Sequence, residues 1–218
     1  MRKIVFLFGI LAILAGTLSG DNLTKKDVLK LICRKPYKNS CRCEDFKFAN
    51  FREFASTESM DIKQIIKGDF IHKDEAIVTL IGCESHSANW GGYLLLRKDG
   101  KNFEVLKYSQ PYFGECKKVK FRGKDALLCK SEYSNHGYFV DSLFLNYFDK
   151  YLKLKSRLIY EGEDNSAAVG DNTKEYHNTT IKSWKVLEDK DGLSVILRVY
   201  DEGFRHKNRV KTIKKKID

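Results

Sequence analysis

Hydrophobic and polar positions change rhythm three times along the 218 residues of this chain. Ile4 to Ala15 is an unbroken apolar run. Over Thr24 to Ile32, the apolar residues Val28, Leu31 and Ile32 recur on one face of a 3.6-residue period, which predicts a helix. Thr24 can cap it, Asp27 stands three residues on in a box-like position, and Pro36 stops it. From about Asp69 the rhythm shortens towards two. AIVTLIGC, YLLLR, NFEVLKY, KKVKF, DALLC, YFVDSLFLNYF and YLKLKSRLIY follow one another, rich in Val, Leu, Phe and Tyr, and predict strands. Asp99-Gly100 predicts a type I′ hairpin turn, and Arg122 to Asp125 and Asp191-Gly192 predict two more turns. Glu161 to Glu175 is small, polar and acidic and reads as a long exposed loop. The basic end from Arg205 reads as a final strand or a frayed tail.

The expected fold is therefore mainly β, an antiparallel meander behind a short N-terminal helix. Three segments follow: a leader over 1–20, the helix with a cysteine-rich stretch over 21–66, and a β-repeat domain over 67–218 with its polar loop at 161–176.

The leader reading rests on order. Arg2 and Lys3 precede the apolar run, and Thr17, Ser19 and Gly20 supply small residues at a cleavage site near Gly20. The run is shorter than the roughly 20 residues a spanning helix needs, so no membrane span is expected in the mature chain. Thr17 stands where a lipoprotein box needs Cys, so no lipid anchor is expected. The protein then reads as exported, periplasmic or secreted.

Six cysteines follow the leader: Cys33, Cys41, Cys43, Cys83, Cys116 and Cys129. An even number in an exported chain points to disulfides. The spacing of Cys33, Cys41 and Cys43 is not that of a zinc site. Cys116 and Cys129 flank the Arg122 to Asp125 turn and would lie opposite each other in a hairpin. Cys83 would then pair with Cys33, Cys41 or Cys43, and the other two with each other.

The formal net charge is +11, or +9 once the leader's Arg2 and Lys3 are set aside. Lys outnumbers Arg 30 to 10, so base-specific nucleic-acid readout is not expected. A basic surface does suit an anionic envelope polymer.

An internal repeat sets CESHSANWG, from Cys83, over CKSEYSNHG, from Cys129. Each follows an apolar strand opening on an acid and Ala, Glu75-Ala76 and Asp125-Ala126, and each is expected to be a strand-joining loop. Ser194 to Phe204 gives a looser third copy without Cys. Gly68-Asp69-Phe70 leading into Asp74-Glu75-Ala76-Ile77-Val78 resembles the repeat core of FG-GAP/VCBS-type β-propeller blades. Val119-Lys120-Phe121 into Asp125 to Leu128, and Trp184 into Gly192 to Val195, are similar. The resemblance spans about Gly68 to Gly203 and implies an exported binding or adhesion scaffold. The family's calcium loop is lost, with Ile71 and Lys73 at ligand positions in the first copy and Leu187 and Val195 in the last. No metal or other cofactor is expected. Three units are too few to close a propeller, so an incomplete, blade-like stack is expected.

Candidate chemistry is thin. Cys83 with His86 could be a thiol and its base, but the Cys129 copy carries Glu132 in the matching place. Ser85 and Ser131 lie in no nucleophile elbow, and His86, His136 and His177 have no zinc spacing. Asn89 and Trp90 match Asn135 and His136, so these four are the candidate ligand-binding residues, for a protein or glycan. The expected function is a non-enzymatic binding or structural module. The alternatives are a secreted hydrolase without a recognisable motif and a polyanion binder acting through Arg205 to Lys216.

Overall fold

The structure is a computed structural model that describes residues 23–48, 59–83, 91–110, 113–170, 173–189, 192–204 and 206–217. The leader and the stretch from Glu84 to Trp90 lie outside the described residues. Helix α1 (Lys25–Ile32) opens on the expected capping box, with Thr24 Oγ1 accepting the Asp27 N–H and the Asp27 carboxylate accepting the Thr24 N–H. At its other end the Lys47 ammonium donates to the Lys30 and Leu31 carbonyls, a cation where the helix dipole favours one.

Fourteen strands make two antiparallel sheets among the described residues. The first runs in chain order: β1 (Pro36–Tyr37), β2 (Ser40–Arg42), β3 (Ser59–Gly68), β4 (Glu75–Gly82), β5 (Gly92–Asp99) and β6 (Asn102–Ser109). The second begins as a meander of β7 (Glu115–Phe121), β8 (Lys124–Asn135), β9 (Tyr138–Phe148) and β10 (Leu154–Asp164). After the short helix α2 (Ser166–Val169), β11 (His177–Asn178) joins β10 to β13 (Gly192–Gly203). β13 also pairs with β12 (Ile181–Asp189) on one side and β14 (His206–Ile217) on the other.

Three apolar cores explain the rhythm of the sequence. Val28, Leu29 and Ile32 of α1 pack on Val78, Leu80, Leu94 and Leu96 of the first sheet. The opposite face of that sheet sets Ile77, Tyr93 and Leu95 against Leu127, Cys129 and Phe148 of the second. β4 and β5 are thus buried on both faces, which is why their apolar runs do not alternate. The second sheet curls into a half-barrel around Val119, Leu128, Leu143, Leu145, Trp184, Val195 and Leu197. Across its mouth the Glu188 carboxylate accepts the Lys120 N–H at 2.9 Å, and the Lys117 ammonium sits 4.0 Å from the Trp184 ring centroid. Between the sheets, the Gln64 amide bonds both the N–H and the carbonyl of Cys116, at 3.1 and 3.3 Å.

Four expectations are corrected. Glu161 to Asp164 continue β10 rather than open a loop, and Ser166 to Val169 are helical. Side-chain bonds to the backbone order this polar stretch. The buried Asn165 amide donates to the Glu175 carbonyl and accepts the His177 N–H, both at 2.9 Å. A Cβ on Gly162 would collide with the Thr179 carbonyl, so glycine lets the two segments close up. Secondly, Cys129 to Asn135 are strand, not loop. Cys129 lies within β8, whereas Cys83 follows the end of β4. Thirdly, β12, β13 and β14 do not stand apart as a blade, because β11 bonds them into the same sheet as β10, and no propeller forms among the described residues. Ser194 to Phe204, read as strand and turn, is strand as far as Gly203. Lastly, the β5–β6 hairpin closes through Gly100 and Lys101, with Gly100 alone at positive φ, which fits a type II′ turn rather than I′.

Candidate functional site

The cysteines are consumed by structure. Cys33 bonds Cys41, Cys43 bonds Cys83, and Cys116 bonds Cys129 directly across the β7–β8 hairpin. Cys83 is therefore not a free nucleophile. Asn89 and Trp90 fall outside the described residues, as do Ser85 and His86. Asn135 is the last residue of β8, exposed at the tip of the β8–β9 hairpin. His136, also exposed, and Gly137 form the two-residue turn at φ 48° and 84°. His177 lies elsewhere, with Nε2 3.0 Å from Glu163 Oε1 and Nδ1 3.0 Å from the Asn165 amide nitrogen. No group of three or more metal-ligating side chains occurs among the described residues.

A basic face emerges instead at the chain's end. β13 buries Leu193, Val195, Leu197 and Val199 inside the half-barrel, so alternation turns Ile196, Arg198 and Tyr200 outwards. On β14, Ile217 is buried and Ile213 packs on the same core, which leaves Val210, Thr212, Lys214 and Lys216 on the outer side. β12 sends Trp184 inwards and Ser183 and Lys185 outwards. Register then builds rows across the three strands. Lys185, Ile196 and Lys214 form one, and Ser183, Arg198 and Thr212 the next. Lys182, at a bulge in β12, places its ammonium 5.5 Å from the Tyr200 ring centroid. Five cations, Lys182, Lys185, Arg198, Lys214 and Lys216, thus share one outer face.

That face runs into a groove of about 650 Å³ lined by Phe139, Asp164, Asn178, Thr180, Lys182, Tyr200, Glu202 and Val210. Tyr200 and Val210 are register partners one row beyond Arg198 and Thr212, so groove and face are continuous. The polar walls of the groove are held by hydrogen bonds. Asp164 Oδ1 accepts the Ser166 N–H at 2.9 Å and Oδ2 accepts the Asn178 amide at 3.1 Å. Asn178 Oδ1 in turn accepts the Thr180 N–H and hydroxyl, at 3.1 and 2.7 Å.

Two ion clusters elsewhere have structural work. In a cleft between the sheets, the buried Asp125 carboxylate accepts the Asp69 N–H at 2.7 Å and pairs with Lys120 at 2.8 Å. Burial works to raise the Asp125 carboxyl, but Lys120, the Asp69 N–H and Lys118 together hold it below the usual carboxylate range. On β9, the fully buried Asp141 accepts the Ile181 N–H at 2.8 Å and pairs with Lys130 at 3.1 Å, which pins β12 to the inside of the curl. Burial pushes the Asp141 carboxyl up.

Sequence reasoning marked Arg205 to Lys216 as basic but missed Lys182, Lys185, Arg198 and the groove. The signal that could have found them is the alternation of Ile196, Arg198 and Tyr200 against Val195, Leu197 and Val199. Among comparisons with known proteins, no family model, curated protein or solved structure matches the chain. Three disulfides mark an oxidising, extracytoplasmic setting, and no helix of the described residues is long and apolar enough to cross a membrane.

Proposed function

We propose that this is an exported, non-enzymatic binding module of the cell envelope or extracellular space, released from its leader near Gly20 without a lipid anchor. Its partner is anionic and is held on the outer face of β12, β13 and β14. The observation that carries this reading is the gathering of Lys182, Lys185, Arg198, Lys214 and Lys216 on one sheet face whose reverse is core. Rows of cations on hydrogen-bonded strands form a fixed electrostatic surface, and such surfaces act on polyanions through counterion release. The half-barrel suits this role, since the core behind β12, β13 and β14 holds the face rigid.

Retention of the leaderless chain on immobilised dextran sulfate tests it. Lys185→Glu/Arg198→Glu/Lys214→Glu should elute at clearly lower salt than Lys26→Glu/Lys101→Glu/Lys153→Glu, a triple of exposed lysines with the same change in net charge. Equal elution of the two triples would reduce the effect to net charge and sink the reading.

A further inference from the structure

We propose that the anionic partner is a polysaccharide, with its charged groups on the basic face and its sugar rings in the Tyr200 groove. This rests on the reading of the basic face given above.

The argument is one of charge pattern. A uniformly charged strand, such as polyphosphate, would meet cations along β12, β13 and β14 and then two carboxylates, Asp164 and Glu202, where the face enters the groove. That end repels it. A charged polysaccharide differs in kind, because hydroxyl groups lie between its anionic groups. Hydroxyls donate to carboxylates, and sugar rings carry apolar C–H faces. The groove offers both counterparts, Asp164 as acceptor beside the rings of Tyr200 and Phe139.

The acceptors are also set in place. Asp164 is oriented by the Ser166 N–H and the Asn178 amide, and Asn178 by Thr180. Polar groups locked on strands before the ligand arrives lose little freedom on binding. The groove's volume of about 650 Å³ lies within the range of small-ligand sites, roughly 300–1,000 Å³, and Lys182, one of the face's cations, is part of its lining. Alternate residues of a strand stand about 6.6–6.8 Å apart, so Glu202, Tyr200 and Arg198 carry a ligand from acceptor to ring to cation over about 13 Å.

The test is titration calorimetry on the leaderless chain with its disulfides intact, against polygalacturonate, polyphosphate and poly-glutamate at matched charge and salt. Polygalacturonate should bind the most tightly. Tyr200→Ala and Glu202→Gln, made separately and checked for unchanged thermal unfolding, should each weaken polygalacturonate by about tenfold and move polyphosphate by less than about twofold. Tyr200→Phe should retain binding, since it keeps the ring. The inference is overturned if polyphosphate or poly-glutamate binds as tightly as polygalacturonate, or if Tyr200→Ala weakens all three probes alike. Either outcome leaves the basic face standing. Failure of all three probes to bind overturns the basic face itself.

Discussion

Asp125 shows how one buried side chain can hold two sheets in register. It is the second residue of β8, yet its carboxylate accepts the N–H of Asp69, which belongs to the turn between β3 and β4. The Asp125 N–H returns a bond to the Asp69 carbonyl at 3.1 Å. A carboxyl whose folded pKa is depressed adds stability above its unfolded value, near 3.9, and loses it as pH falls through the folded value. Asp125→Asn keeps the shape and removes the charge. It should cost about 2 kcal/mol at pH 7, the scale of a hydrogen-bonded charge lost from a buried site. The gap between wild type and variant should begin to narrow below about pH 4, where the unfolded carboxyl takes up its proton, and close as pH falls through the lower folded value. Urea unfolding at pH 7 and at pH 3 measures both, and a gap that stays constant with pH would mean that the ion pair contributes nothing.

At the scale of elements, the disulfides stabilise different things. Cys116 and Cys129 are 13 residues apart and staple a hairpin that register already aligns. Cys43 and Cys83 are 40 apart and tie the N-terminal segment to the end of β4. Loop-closure entropy makes the longer loop worth more, about 4 against about 3 kcal/mol. Cys43→Ser/Cys83→Ser should therefore lower the urea midpoint further than Cys116→Ser/Cys129→Ser. The reverse order would show that hairpin pairing, not chain entropy, governs. The Cys116–Cys129 bridge was legible in the sequence, since both residues flank a turn signal and the midpoint between them falls inside it. The capping box at Thr24 was legible for a similar reason, being local. The half-barrel was not. It depends on β11, two residues with no apolar pattern, and on Asp141 reaching Ile181 forty positions away. The polar stretch from Glu161 was misread because side-chain bonds rather than apolar burial order it. The basic face was half legible: β14 shows in composition, but Arg198 joins it only once register is known.

For the whole molecule, the decisive layer is the one between the sheets. Without the second sheet, the first would expose Ile77, Tyr93 and Leu95, each a loss of roughly 1.5–3 kcal/mol. Without the first, the second would expose Leu127 and Phe148. Gln64 and Asp125 add polar links in the same layer, where an unmet partner is costly. Neither sheet therefore has a reason to be stable alone, although the chain divides cleanly between them after Ser109. The molecule should unfold in one transition. Leu127→Ala, in the middle of the layer, should cost about 3 kcal/mol. Hydrogen exchange can show where that loss falls. If the sheets are one unit, the slowest amides of β4 and β8 speed up together in the variant. If β8 loosens while β4 keeps its protection, the sheets are separate domains, and the basic face on β12, β13 and β14 could then be studied on the second sheet alone.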